Sequence, residues 1–204
     1  MDDLNKALSE IGNIRRQMAR STEFRGYGPA TLAATGLIAV AAACTQMLCL
    51  SHAELHPWTY LSIWGVTAVV SASLIGAQMI SRSHRIHSGL ADEMIRMAVE
   101  QFLPAIGAGA VLTAVIAYYA PSALWMMPGL WQILSGLGIF SSCRFLPRTM
   151  TFAGAWYLMS GLFAIALADS RAFSPWIMGI PYGVGQFLIA GVLYCNALGD
   201  TDEG

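Results

Sequence analysis

Hydrophobic and polar residues alternate along this chain in long blocks. Six apolar blocks, each close to the ~20 residues that a helix needs to cross a bilayer, are separated by short polar segments. The predicted spans cover 29–50, 59–81, 102–119, 124–142, 150–168 and 176–195. Because an apolar helix of this length pairs all its backbone groups within lipid, the pattern predicts an all-α fold: a polytopic bundle of six transmembrane helices.

Residues 1–28 show helical periodicity without a long apolar block. Apolar residues recur there at three- and four-residue steps, and basic residues follow late in the segment; the residues that define this face are Leu4, Leu8, Ile11, Arg15, Arg16 and Met18. The spacing predicts a cytoplasmic amphipathic helix. It packs either on lipid headgroups or on another protein. Residues 29–197 then form the membrane domain, and 198–204 an acidic cytoplasmic tail.

Positive charge marks the orientation of the bundle. The chain has 11 basic residues. All but one precede the first span or lie in the second or fourth connection: Lys6, Arg15, Arg16, Arg20, Arg25, Arg82, Arg85, Arg96, Arg144 and Arg148. Arg171 alone falls in an outer loop. Since basic loops stay on the cytoplasmic side during insertion, both termini are predicted to be cytoplasmic.

An aromatic pattern recurs after each predicted outer loop. A tryptophan is followed six residues later by a second aromatic residue: Trp58 and Trp64, Trp125 and Trp131, Trp176 and Tyr182. On the inner side, the tripeptides at 102–104 and 145–147 are identical. The repetition favours three successive helical hairpins. The alternative is an ordinary aromatic belt at the membrane interface, which explains the second member of each pair less well.

Composition narrows the class of function. Hydrophobic residues make up 56% of the chain and charged residues 11%, against ~25% charged in an average soluble domain. No ionisable residue falls in the centre of a predicted span, although pumps, proton-coupled transporters and intramembrane hydrolases usually place one there. No phosphate-binding loop, dinucleotide fingerprint or nucleophile elbow is present. We therefore expect no enzyme activity, no cofactor and no nucleic-acid partner.

Polar and aromatic residues inside the spans supply the candidate site. Its members are Trp64, Trp131, Gln132, Pro181, Tyr182 and Gln186. They could line a cavity for a small neutral solute. The simpler interpretation, which we favour, is packing, with interhelical hydrogen bonds between spans four and six. Pro181 lacks a backbone N–H and should disturb span six, and the pair Gly179 and Gly183 should allow a close helix approach.

Histidines and cysteines give weaker signals. His52 and His56 are four residues apart, which on a helical turn would suit a metal ion, although loop histidines are more often interfacial. The four cysteines, Cys44, Cys49, Cys143 and Cys195, are expected to be buried free thiols, because an inner and an outer cysteine cannot be bridged across a bilayer.

Two functions from different classes remain. The first is a non-enzymatic membrane subunit, scaffold or sensor that engages a protein partner at its cytoplasmic face, and self-association as a homo-oligomer is also open. The alternative is a small transporter or channel for a neutral or weakly polar solute. Short loops and the lack of a signal peptide favour a bacterial cell inner membrane.

Overall fold

The computed structural model describes residues 28–50, 56–85, 89–143, 149–167 and 169–199. Those residues form an all-α structure. Its α-helices are α1 (Pro29–Cys49), α2 (Pro57–Arg85), α3 (Gly89–Tyr119), α4 (Met127–Ser142), α5 (Met150–Ala166) and α6 (Pro175–Gly199). Two 3₁₀ helices, Pro121–Met126 and Asp169–Phe173, lie before α4 and α6.

Five helical stretches are long and apolar enough to cross a membrane: Pro29–Cys49, Pro57–Ser81, Glu100–Tyr119, Pro121–Ser142 and Pro175–Cys195. The sixth helix, α5, is equally apolar but has 17 residues. At 1.5 Å per residue it is about 25 Å long, which is the lower limit for a crossing. These helices make the chain an integral multi-pass membrane protein by length and composition.

Proline begins several of these helices. Pro29 occupies the first turn of α1, and Pro57 and Pro175 are the first residues of α2 and α6. The first helical N–H has no partner within a helix, so proline costs nothing there and fixes a helical φ. Before α1, the backbone N–H of Gly28 donates to Oε1 of Gln78 (3.0 Å), which ties the start of α1 to the far end of α2.

Two antiparallel helix pairs pack most closely, α4 with α5 and α1 with α6. In the first pair, glycine faces glycine at two levels. A Cβ added at Gly129 or Gly161 would lie 2.6 Å from the other's carbonyl oxygen, and one at Gly136 would lie 2.8 Å from the carbonyl oxygen of Gly154. Helices approach this closely only where side chains are absent, so glycine positions set the α4–α5 distance.

The α1–α6 pair also rests on small residues. A Cβ added at Gly179 would lie 2.6 Å from Cβ of Ala43, and one at Gly183 would lie 3.0 Å from Cγ2 of Val40. The close approach predicted for Gly179 and Gly183 is therefore confirmed. It packs α6 onto α1.

Helices that follow one another in the chain also touch, α1 with α2, α3 with α4, and α5 with α6, but less extensively than the two pairs above. Contact between α2 and α3 is slight. The packing order is therefore α2, α1, α6, α5, α4, α3. The main core cluster joins five of these helices at the end where α2 begins, through residues that include Tyr60, Leu61, Met127 and Met178.

The predicted spans agree with the helices to within a few residues, with one difference: the fourth span begins with a 3₁₀ turn at Pro121–Met126 before the α-helix starts. The helix of the third span begins before the span itself, at Gly89, and continues through Pro104. The predicted N-terminal helix, with Leu4, Leu8, Ile11, Arg15, Arg16 and Met18, lies outside the described residues, as does the acidic tail from residue 200 onward.

Candidate functional site: a polar seam between α4, α5 and α6

Pro181 determines how α4 meets α6. A helix interior normally pairs the N–H of residue 181 with the carbonyl of Ile177, four residues earlier, and proline removes that donor. The side-chain amide of Gln132 on α4 replaces it, since its Nε2 donates to the Ile177 carbonyl oxygen at 2.7 Å. The carbonyl of Pro181 itself accepts from the indole Nε1 of Trp156 on α5 (3.0 Å). Side chains of α4 and α5 thus both donate hydrogen bonds to backbone carbonyls of α6 around Pro181.

Tyr182 continues the seam one position further. Its hydroxyl lies 3.0 Å from Oγ of Ser135 on α4, within hydrogen-bond distance. Its ring lies 5.2 Å from the ring of Tyr157 on α5. The hydroxyl of Tyr157 in turn lies against the backbone of α6 at Gly185, where a Cβ would collide with it. Glycine at 185 is what leaves room for the Tyr157 side chain.

Among the described residues, Oε1 of Gln132 is buried without a hydrogen-bond partner, as is Oη of Tyr60 in the core cluster. The Tyr157 hydroxyl and the Gln186 side-chain amide lie close enough to interact with each other. Gln132 is fully buried and Tyr157 is 1% exposed. Each buried unpaired polar group costs about 1–3 kcal/mol. The seam therefore carries more polarity than its own helices satisfy.

A second buried glutamine lies beside the main core cluster, and both ends of its side-chain amide are paired. Gln46 on α1 is completely buried. Its Nε2 donates to the carbonyl of Phe173 (2.8 Å), and its Oε1 accepts from Nε1 of Trp64 (2.8 Å). Gln46 therefore joins α1, α2 and the connection before α6, and Trp64, 3% exposed, is part of the core.

Trp131 makes the corresponding bond in the next pair of helices. Its Nε1 donates to Oγ1 of Thr113 at 3.0 Å, and donor and acceptor are 18 residues apart, as Trp64 and Gln46 are. Thr113 already donates its own proton to the carbonyl of Gly109. Both tryptophans thus bond a polar residue on the helix before their own.

The predicted site residues therefore fall into two neighbouring groups. Gln132, Pro181, Tyr182 and Gln186 belong to the seam. Trp64 belongs to the core cluster, against which Trp131 and Tyr182 pack. Between α4 and α6 the structure has hydrogen bonds of the kind that the packing interpretation predicted.

A groove of about 430 Å³ lies away from the seam, on the exposed surface of the bundle between α3 and α4. Its walls include Pro104, Leu134 and Leu137, and Glu100, Gln101 and Ser141 are at one end. The polar seam does not reach it.

The histidine and cysteine predictions have different outcomes. His52 lies outside the described residues and His56 is exposed; within the described part of the chain no three potential metal-ligating residues come together. The cysteines are free, as predicted, but their predicted burial is wrong. Cys44, Cys49 and Cys195 are exposed on the bundle surface and Cys143 is partly covered, because the buried helix faces are occupied by glycine, alanine and the polar residues above.

Sequence reasoning missed Gln46 and Tyr157. Gln46 lies near the end of its span, where a glutamine looks like an interfacial residue. Its spacing to Trp64, the same as that from Thr113 to Trp131, was the available signal. Tyr157 stands in an apolar helix and resembles a belt tyrosine until Gly185 is placed against it.

Comparison with protein-family models, with curated proteins and with solved structures yields no match for this chain.

Proposed function

We propose that this chain is a non-enzymatic subunit, scaffold or sensor of a bacterial inner membrane that engages a protein partner at its cytoplasmic face. Both termini and the loop between α2 and α3 lie on that face, as the distribution of basic residues indicates. The amphipathic segment 1–28 supplies the docking surface, and the bundle anchors it.

The observation that carries this proposal is the poor coverage of α2 and α3. Only 11% of the α2 span and 6% of the α3 span are buried, against 33% in α1 and 44% in the span that contains α4. Large apolar side chains such as Val66 and Val69 on α2 and Ile106 and Val111 on α3 are exposed. The helices α2 and α3 are thus the ones that the rest of the bundle covers least.

The hairpin repeat gives this arrangement a rationale. If α1–α2, α3–α4 and α5–α6 are three copies of one hairpin, the α4–α5 and α1–α6 contacts join neighbouring copies. The contact between α2 and α3 is then the third of the same kind. It is the least extensive of the three, which leaves α2 and α3 able to respond to a partner bound at their cytoplasmic ends.

Purification of the full-length chain in mild detergent tests the proposal. A partner should co-purify in fixed stoichiometry, and deletion of residues 2–20 should release it while leaving the bundle inserted. Five basic residues remain in the cytoplasmic segments between spans to hold the orientation: Arg82, Arg85, Arg96, Arg144 and Arg148.

A charge-matched pair of variants separates docking from lipid anchoring. Leu8→Asp with Ile11→Asp places two carboxylates on the apolar stripe, and Asn13→Asp with Gln17→Glu places two on the opposite face. Loss of the partner from the first variant alone supports docking. If both variants and the deletion keep every partner, the docking role is rejected.

A further inference from the structure

The groove between α3 and α4 lies on the surface that the bundle turns toward lipid. Its two walls meet where Ala105 faces Gly138, because a Cβ added at Gly138 would lie 3.3 Å from Cβ of Ala105. Leu137, which lines the groove, is 50% exposed. The volume of about 430 Å³ is within the roughly 300–1,000 Å³ of sites that hold a small molecule. The groove therefore has room for part of a lipid molecule.

The groove runs from the membrane surface into one leaflet. Glu100 is the first residue of its membrane span, and Ser141 is next to the last residue of the following span. These two residues line the polar end of the groove, and Leu134 lines its apolar part. From residue 141 to residue 134 a helix extends about 10 Å, against the roughly 15 Å of hydrocarbon in one leaflet. In the predicted topology this is the cytoplasmic leaflet.

The polar end of the groove favours a positively charged headgroup that donates hydrogen bonds. The carboxylate of Glu100 only accepts, and it has about four lone-pair positions, so it can bind an ammonium group in addition to bonds within the protein. A quaternary ammonium has no N–H to donate. A headgroup with only negative charge would meet the like charge of the carboxylate. A primary ammonium is therefore the best match.

Basic residues lie close to this end of the groove in the chain. Arg96 precedes Glu100 by about one helical turn, and Arg144 follows Ser141 by three residues. Basic residues at the cytoplasmic membrane surface attract lipid phosphates. A carboxylate with basic residues near it in the chain is complementary to a headgroup that carries both a phosphate and an ammonium. This combination of charges distinguishes the groove from an ordinary lipid-facing surface.

We propose that the α3–α4 groove binds a phospholipid of the cytoplasmic leaflet whose headgroup carries a primary ammonium. The ammonium binds the carboxylate of Glu100, and an acyl chain lies along Pro104, Leu134 and Leu137. The site is separate from the docking surface of residues 1–28. Lipid binding is measured with no protein partner present, so its failure would leave the proposed function untouched.

Native mass spectrometry of the full-length protein tests the proposal. The protein is reconstituted with equal amounts of dioleoyl phosphatidylethanolamine, phosphatidylcholine and phosphatidylglycerol and then transferred to mild detergent. Phosphatidylethanolamine should remain bound several-fold more often than either of the other two lipids. Glu100→Gln keeps the size of the side chain but removes its charge, and it should abolish this preference. Asp169→Asn, at the predicted outer end of the bundle, is the matched control and should keep the preference.

A second matched pair of variants tests where the lipid is bound. Leu137→Trp enlarges a side chain that lines the groove, whereas Val111→Trp enlarges one on α3 that is 64% exposed and outside it. We expect the first variant to lose the retained lipid and the second to keep it.

Three results would overturn the proposal. The first is equal retention of the three headgroups by the unchanged protein, or a preference that Glu100→Gln leaves intact. The second is lipid retention by Leu137→Trp equal to that by Val111→Trp. The third is a dimer that Leu137→Trp alone dissociates, because the groove would then be occupied by a second copy of the chain.

Discussion

The side-chain amide of Gln132 donates to the backbone carbonyl of Ile177 at 2.7 Å, and that carbonyl is the one that Pro181 leaves without a helical donor. Two sequence features that look unrelated, a glutamine in one span and a proline in another, thus form one structural unit. The unit fixes the register between α4 and α6, which otherwise touch only slightly.

Replacing the side-chain amide of Gln132 should show how far its contribution to stability depends on Pro181. Gln132→Leu removes the side-chain donor to the Ile177 carbonyl, and we expect it to lower the free energy of unfolding in detergent by about 1–2 kcal/mol. In a Pro181→Ala background the N–H of residue 181 can pair with that carbonyl, so the same substitution should cost less than half as much. Reversible unfolding of the four proteins of this double-mutant cycle measures the difference. Equal costs in both backgrounds would contradict the linkage.

The glycine contacts between α4 and α5 predict a position-specific effect of alanine. Gly161→Ala places a methyl group 2.6 Å from the Gly129 carbonyl oxygen and 2.9 Å from the backbone nitrogen of Ile133. The two backbones must move apart, at an expected cost of about 1–3 kcal/mol.

Gly107→Ala on α3 is the matched control, because nothing lies within 4 Å of a Cβ there. Alanine is favoured over glycine in a helix by up to about 1 kcal/mol, so this variant should be neutral or slightly more stable. Thermal unfolding in detergent compares the two. Similar melting temperatures for both variants would show that the α4–α5 distance is not set by glycine.

The two tryptophan hydrogen bonds should differ in energetic weight. Trp64→Phe leaves Oε1 of the fully buried Gln46 without its donor. Trp131→Phe leaves Thr113, whose hydroxyl still donates to Gly109. We expect the first substitution to cost about 1–3 kcal/mol and the second less than half of that. An unfolding assay in detergent that ranks the two losses of stability checks the expectation. A larger loss of stability for Trp131→Phe than for Trp64→Phe would contradict it.

Hydrophobic length was enough to place the helices to within a few residues. Pro57 and Pro175 begin α2 and α6, one or two residues before the predicted spans, because proline is favoured in the first turn of a helix. Which helices pack together was not predictable in the same way. The α4–α5 contact depends on glycines that meet across the two helices: Gly129, Gly136, Gly154 and Gly161. Within each helix the two glycines are seven residues apart. This spacing predicts a contact only when it is already known that the two helices face each other.

The candidate site was also predictable only in part, because some of its residues are unusual in the sequence and others are identified only by contacts between helices. Gln132, Pro181, Tyr182 and Gln186 stand out because amides and a proline are unusual in an apolar span. The bond between Gln132 and Ile177 involves a backbone carbonyl, which has no signature in the sequence. Gln46 enters through its bond to Phe173, 127 residues away, and Tyr157 through its contact with Gly185 on the next helix.

The proposed cytoplasmic docking face rests on the predicted topology of six spans with both termini inside, and that topology depends on α5, the helix of 17 residues. A reporter fused at Arg148 should be cytoplasmic, one at Arg171 should be outside, and one at Glu203 should again be cytoplasmic, since α5 and α6 each cross once. Paired alkaline phosphatase and green fluorescent protein fusions at these three positions provide the measurement. A cytoplasmic signal at Arg171 combined with an external one at Glu203 would mean that α5 does not cross, and it would contradict the six-span topology on which the proposed cytoplasmic docking face rests.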